Sequence, residues 1–217
     1  MFELPLFPLN TVLFPGMPLH LHIFEERYKL MIRNCLQTGR PFGVVMIRDG
    51  QEAEGPLADP YRVGCTARIL EVEHLPEGKM NLLVMGEKRF RIDRLKFDQP
   101  YLVGEVEFFP LQDSGSEGLL QTSDRLRSLV KEYMQILSRL GEVNLKPQNL
   151  PQDPLVLAYL AAVLVRVPQD EKQDLLASQK ASDFLSDMHT IYRKEVPLLR
   201  AAARKRKPEL QRGFSMN

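Results

Sequence analysis

Residues 4–28 read LPLFPLNTVLFPGMPLHLHIFEERY, a stretch that is strongly apolar but interrupted by prolines and a glycine. Proline has no backbone N–H and clashes with the preceding helical turn, so this stretch cannot form one helix. We therefore predict short extended segments joined by tight corners, followed by a helix over residues 24–38. Apolar residues recur at helical spacing from Phe24 to Leu36, and Gly39 stands where a left-handed C-terminal cap is needed.

The segment after this helix has the pattern of a curved β-sheet. From Val63, apolar residues alternate with polar or small ones, and the alternation changes phase at Leu70, which indicates a β-bulge. Residues 75–79 have the composition of a tight turn, and the alternating strand that follows is interrupted at Gly86. Bulges and glycine kinks allow a sheet to curl. The pattern predicts a small, strongly curved barrel that includes one early helix.

Beyond a polar segment at 110–122, the apolar pattern becomes helical. A stripe of apolar residues predicts a helix over 123–140, and Asp153-Pro154 has the composition of an N-cap followed by proline at the first helical position. The helix predicted over 154–166 is apolar on nearly every side, so we expect it at the centre of a bundle. The fold class is therefore predicted to be α+β. The predicted divisions are a β-barrel subdomain (1–112), a linker (113–122), a helical bundle (123–203) and a flexible basic tail (204–217).

Composition excludes some classes of function. The 217 residues carry a net charge of +1, so no overall field favours nucleic acid or an anionic membrane. The longest apolar run, residues 155–165, is about half of the ~20 residues that a membrane span requires. Two cysteines and the lack of a secretory signal pattern lead us to expect a cytoplasmic location.

The sequence contains no recognisable catalytic or cofactor motif. The patterns of a Walker A loop, a G-x-S-x-G elbow, an H-E-x-x-H zinc site and a C-x-x-C pair are all absent. His20 and His22 would face the same side of a strand, but a metal site needs three or four converging ligands. We therefore predict no catalytic residue, no metal and no cofactor.

Two stretches are candidates for binding. Phe7, Phe14 and Met17 lie in the proline-rich segment, which cannot pair regularly along its length, so some of their apolar area is a candidate peptide-binding surface; a role in the core is the alternative. A basic strand with an interleaved aromatic residue is a candidate nucleic-acid surface, with an exposed face of alternating charge as the alternative. Its basic residues are Lys88, Arg89, Arg91 and Arg94.

Several of these segments together resemble a known family. The order and content of the motifs are similar to the N-terminal, substrate-binding domain of Lon proteases, and residues 18–28 resemble the form found in stand-alone members of that family. The motifs are LPLFPL (4–9), VLFPG (12–16), VGCTARIL (63–70), LPEGK (75–79), GEKRFRI (86–92) and EKQDLL (171–176).

The resemblance implies a PUA-like β pseudo-barrel followed by a C-terminal helical bundle. It also implies a non-catalytic module that recognises unfolded or apolar polypeptide segments, since the ATPase and Ser-Lys protease modules of full Lon proteases are not recognisable in the sequence. Such a module would act as an adaptor or regulator of proteolysis, with damaged polypeptides, a protease or a chaperone as partners. The alternative hypothesis is an RNA-binding PUA-like protein. The sequence does not predict the oligomeric state.

Overall fold

The structure, a computed structural model, describes residues 1–51, 58–116, 118–141 and 150–212. The sequence also predicts a polar loop with glycine and proline at 51–60 and an irregular segment at 143–152, and parts of both lie outside the described residues. By its contacts the chain divides into two units, and each is described by itself. Unit 1 comprises Met1–Leu111 and Val167–Gln179, and unit 2 comprises Gln112–Arg166 and Lys180–Asn217.

Unit 1 contains all the described strands. In chain order its elements are β1 (Phe2–Leu9), β2 (Pro18–Ile23), α1 (Glu26–Thr38), β3 (Phe42–Asp49), β4 (Asp59–Pro60), β5 (Val63–His74), β6 (Met80–Lys96), β7 (Val103–Phe108) and α4 (Gln169–Ala177). Helix α1 begins two residues later than predicted. It ends as predicted, with Gly39 as a left-handed cap at φ 64°.

The sheet closes on itself through one parallel pair. Strands β1, β7, β6, β5 and β3 pair in that order, and β3 then pairs with β1 from Gly43↔Leu6 to Met46↔Leu9. The other pairings are antiparallel. The predicted bulge is confirmed, because the register between β5 and β6 shifts between Ile69 and Glu71. The α+β fold with a curved, partly closed sheet and one early helix is thus the observed one.

Strand β6 is the longest strand and spans two environments. Its first half pairs with β2 on one side and with the second half of β5 on the other. Its second half pairs with β7 and with the first half of β5. The two halves meet at Gly86, where an added Cβ would overlap the carbonyl oxygen of Phe14. Glycine is needed at this position because the chain corner at Phe14–Met17 lies directly against the strand, with Gly16 N–H donating to the Gly86 carbonyl at 2.8 Å.

Helix α4 belongs to unit 1, although its sequence lies in the segment predicted as helical bundle. The buried Gln173 side chain donates from Nε2 to the carbonyl of Val63 at 3.0 Å, and the Gln169 side chain accepts from the amide of Val12 at 3.2 Å. The helix therefore contacts both strand β5 and the segment between β1 and β2. The other predicted subdomain limits remain predictions.

Unit 2 contains α2 (Gly118–Arg139), α3 (Pro154–Leu164) and α5 (Ala181–Arg212). The predicted N-cap of α3 is confirmed, since the Asp153 carboxylate accepts from the amides of Leu155 and Val156 at 2.8 and 2.9 Å. One face of α3 is fully buried, but its other side chains are partly exposed and Val156 is 52% exposed, so the helix is less buried than its composition predicts. Helix α5 is continuous to Arg212, so part of the predicted tail is helical.

Candidate functional site

The outer face of strands β2, β6 and β5 carries three rows of side chains. In antiparallel pairs, directly opposed residues point to the same side of the sheet. The register therefore places side chains from the three strands next to one another on the face opposite the core. The rows are Pro18–Met85–Arg68, His20–Leu83–Glu71 and His22–Asn81–Glu73.

The third row is a chain of hydrogen bonds. Nδ1 of His22 lies 2.8 Å from Oδ1 of Asn81, and Nδ2 of Asn81 donates to a Glu73 carboxylate oxygen at 2.7 Å. The His22 ring also stacks on Phe24, with 5.9 Å between ring centroids. These contacts orient an exposed imidazole and an exposed phenyl ring at the end of β2. Such a pair offers both a polar and an apolar contact to a bound chain.

A surface groove of about 510 Å³ runs over the second and third of these rows. Imidazoles of His20 and His22 line one side, carboxylates of Glu71 and Glu73 line the other, and the partly buried Leu83 lies between them. Carboxylates accept hydrogen bonds from backbone N–H groups, and imidazoles can donate or accept. The groove can therefore hold a polypeptide backbone while Leu83 contacts an apolar side chain.

Strand β2 also offers an open edge. Among the described strands it pairs with β6 alone, so its other edge has no strand partner in this part of the chain. Unpaired strand edges present backbone donors and acceptors at the spacing of an incoming strand. The groove and the open edge are adjacent, because β2 forms one side of the groove and also carries the open edge.

The predicted peptide-binding residues lie elsewhere. Phe7 is 6% exposed and packs with its ring centroid 4.3 Å from that of Tyr28, and Phe14 is fully buried. Met17 is half-buried and packs against the hydrophobic core that includes Phe7. The expectation that this segment leaves apolar area exposed is therefore wrong for Phe7 and Phe14, because both side chains are buried, Phe7 within the hydrophobic core of the barrel.

The predicted nucleic-acid residues are not brought together as one basic surface. Arg89 is 4% exposed and donates to the carbonyls of Leu176 and Ser178 at the C-terminal end of α4, at 2.6 and 2.8 Å. Arg91 is exposed and pairs with Glu107 at 2.5 Å. The Arg89 charge thus interacts with the carbonyl end of a helix, which favours a cation.

The other two predicted nucleic-acid residues are exposed. The Lys88 ammonium lies 5.0 Å from the centroid of the Phe108 ring, and Arg94 is also at the surface. RNA binding by this strand stays a prediction, with three exposed side chains rather than four to carry it, of which Arg91 is paired with Glu107.

Neither a metal site nor an exposed thiol is present among the described residues. His20 and His22 share the outer face as expected, but in the described part of the chain no group of three or more His, Cys, Asp or Glu residues could hold a metal ion. Cys35 and Cys65 are buried free thiols, and burial raises their pKa to about 11 and about 12, respectively. High pKa values keep both thiols protonated and poorly nucleophilic at neutral pH.

Sequence patterns pointed to part of the candidate groove. The i, i+2 spacing of His20 and His22 placed both on one face of a strand. Leu83, Glu71 and Glu73 were missed, because only the register between strands brings them opposite the histidines. The bulge predicted at Leu70 indicates on which side of the strand Glu71 and Glu73 lie, but it does not indicate which residues of other strands lie beside them.

No helix in the described ranges is long and apolar enough to cross a membrane.

The fold is similar to that of two solved structures. One is the crystal structure of a Lon N-terminal domain protein from Xanthomonas campestris, with a TM-score of 0.65, 27% identity and coverage of 87% of this chain and 97% of that chain. The other is the N-terminal domain of the Mycobacterium avium complex Lon protease, with a TM-score of 0.70, 16% identity and coverage of 88% and 98%. The second likeness concerns the fold alone.

Sequence relatives point the same way. Lon protease 2 of Myxococcus xanthus is 30% identical over 177 residues, which are 80% of this chain and 21% of that protein. The Lon protease of Anaeromyxobacter dehalogenans is 30% identical over 178 residues, with the same coverage. The chain thus spans about a fifth of the length of these relatives. Residues 3–193 match the family model of the ATP-dependent protease La (LON) substrate-binding domain, and the chain belongs to that family.

Proposed function

We propose that this chain is a non-catalytic module that binds unfolded or damaged polypeptide segments with exposed apolar side chains. The observation that carries the proposal is the match of residues 3–193 to the LON substrate-binding domain. The ATPase and protease activities of the longer relatives are not part of the proposal. The absence of recognisable catalytic motifs in the sequence agrees with a binding role.

We place the binding surface on the outer face and open edge of β2. An unfolded segment is readily extended, so it can add to a strand edge through backbone hydrogen bonds. Phe24, which is 42% exposed, and the partly buried Leu83 supply the apolar contacts. The imidazole and carboxylate sides of the groove then bind backbone or polar side chains without selecting one sequence. This surface replaces the one expected at Phe7 and Phe14.

The finer role follows from the binding proposal. Bound to unfolded segments, the module acts as an adaptor or regulator of proteolysis, with a protease or a chaperone as its partner. A cytoplasmic location suits this role, because the reduced thiols of Cys35 and Cys65 are typical of a reducing compartment.

Binding is tested with an array of peptides from unfolded proteins, followed by titration of the best peptide. The double variant Phe24→Lys/Leu83→Lys should raise Kd about tenfold, because two apolar contacts of roughly 0.7 kcal/mol each are lost. The matched control is Phe97→Lys, which alters a residue of the same unit that is 64% exposed and outside the groove. It should leave Kd unchanged.

Two results would count against the proposal. If the native chain binds no peptide on the array, the binding function is wrong. If the double variant and the control bind equally well, the location is wrong while the function stands. The regulatory role is tested separately, by adding the chain to a full-length Lon protease that is degrading an unfolded protein; an unchanged degradation rate would contradict it.

A further inference from the structure

A second groove lies within unit 2, between α2 and the second half of α5. Its volume is about 790 Å³. Two rows of α2 residues at i, i+4 spacing form one wall, and a short stretch of α5 from Arg200 to Arg204 forms the other. The two walls are connected by an ion pair between Arg200 and Glu132. The groove is therefore bounded on both sides by regular helix.

The groove is strongly cationic although the chain as a whole is nearly neutral. Among its described lining residues, Lys131, Arg139, Arg200 and Arg204 are basic, whereas Glu132 is the acidic one. Only Arg200 of the four forms an ion pair with another described residue. Lys131, Arg139 and Arg204 are exposed and form no hydrogen bond or ion pair within the described part of the chain. Three of the four cations that line the groove thus have no charged partner among the described residues.

The rest of the lining distinguishes between anionic ligands. The partly exposed Leu140 and Ala203 supply apolar surface between the cations, whereas Ile136 is only 6% exposed and adds little. The described lining contains no aromatic side chain on which a nucleobase could stack. Apolar surface flanked by cations matches a polypeptide segment that carries both acidic and aliphatic side chains. We propose that this groove binds acidic, amphipathic polypeptide segments.

The proposal is independent of the β2 groove, since it concerns other residues and another ligand chemistry. It is tested on the full chain by fluorescence anisotropy with a short labelled peptide of repeating Glu-Glu-Leu-Leu. A Lys-Lys-Leu-Leu peptide and oligouridine RNA serve as alternative probes. Binding of the acidic peptide should weaken as salt is added, because exposed charge pairs are screened.

The test variant is Lys131→Gln/Arg139→Gln/Arg204→Gln. Exposed ion pairs are individually weak, so loss of all three should raise Kd about tenfold. The matched control is Arg125→Gln/Arg193→Gln/Lys194→Gln. It removes the same number of exposed positive charges from the same two helices, outside the groove. Circular dichroism melts establish that both variants fold.

Each outcome decides the proposal. Affinity that falls about tenfold in the groove variant and stays unchanged in the control supports it. Equal losses in both variants would show a general charge effect and overturn it, as would no binding of the acidic peptide to the native chain. Tighter binding of oligouridine that displaces the peptide would assign the groove to nucleic acid instead.

Discussion

Replacement of Arg89 by methionine should destabilise unit 1 strongly. The guanidinium is buried, donates to the carbonyls of Leu176 and Ser178 at 2.6 and 2.8 Å, and lies 5.0 Å from the centroid of the Phe109 ring. Methionine is shorter than arginine but has a similar volume, so it can fill most of the space, but it cannot donate to either carbonyl. The substitution therefore removes the electrostatic attachment of α4 to β6 with little change in packing.

The size of the effect follows from these contacts. Hydrogen bonds that involve a charged group contribute about 1.5–3 kcal/mol each, so the two carbonyl contacts amount to about 3–6 kcal/mol. Burial of the guanidinium costs several kcal/mol, which offsets part of this contribution. We expect a net loss of about 2–3 kcal/mol in the free energy of unfolding. Exchange of the α4 amide hydrogens should also accelerate, because the carbonyl end of the helix loses its anchor.

The measurement is urea unfolding, with Arg91→Met as the matched control. Arg91 belongs to the same strand and forms an exposed pair with Glu107, so its replacement should cost about 0–1 kcal/mol. Hydrogen exchange read by mass spectrometry reports on α4 separately. If Arg89→Met is no less stable than Arg91→Met, the anchoring role of Arg89 is refuted.

Two further predictions concern one position in each unit. Gly86→Ala should cost about 3 kcal/mol in urea unfolding, because the new Cβ overlaps the backbone of Phe14, whereas Gly115→Ala, which has open space, should be neutral; equal effects would contradict this account. In unit 2, the hydrogen bond from Ser182 holds the pKa of Asp113 below its ordinary value of 3.8. The stabilisation from this hydrogen bond is therefore fully present above pH 3.8 and is lost as the pH falls through the lowered pKa of Asp113. Asp113→Asn should lose less stability than the parent between neutral and strongly acidic pH, and an identical pH dependence of urea unfolding in both proteins would count against this role.

Local sequence patterns were enough for elements whose conformation depends on neighbouring residues. The left-handed cap at Gly39, the N-cap at Asp153 and the bulge after Ile69 were all predicted and are all present. The two caps depend on backbone geometry or hydrogen bonds within a few residues, and the bulge is marked by a change of alternation along one strand, so a short window of sequence was enough to predict each. The family resemblance supplied the order in which these elements combine.

Only the histidine side of the candidate groove could be predicted from the sequence. Alternation along β2 placed His20 and His22 on one face, since side chains of a strand alternate with a period of two. Which residues lie opposite them depends on the register with β6 and β5, and that register is set by the bulge and by closure of the barrel. Leu83 and Glu71 could therefore be assigned to the site only from the folded structure.

By itself, the sequence determined the helices, the curved strands, their order and the absence of familiar catalytic motifs. Only the tertiary structure decided which part of the molecule covers each face of the strands. Phe7 is buried inside a barrel that closes through the parallel β1–β3 pair, and Phe14 is buried as well. The buried guanidinium of Arg89 donates to helix carbonyls, which offset the cost of burying its charge. Alternation specifies on which side of a strand a residue lies, but contacts between residues far apart in sequence decide whether that side meets core, helix or solvent.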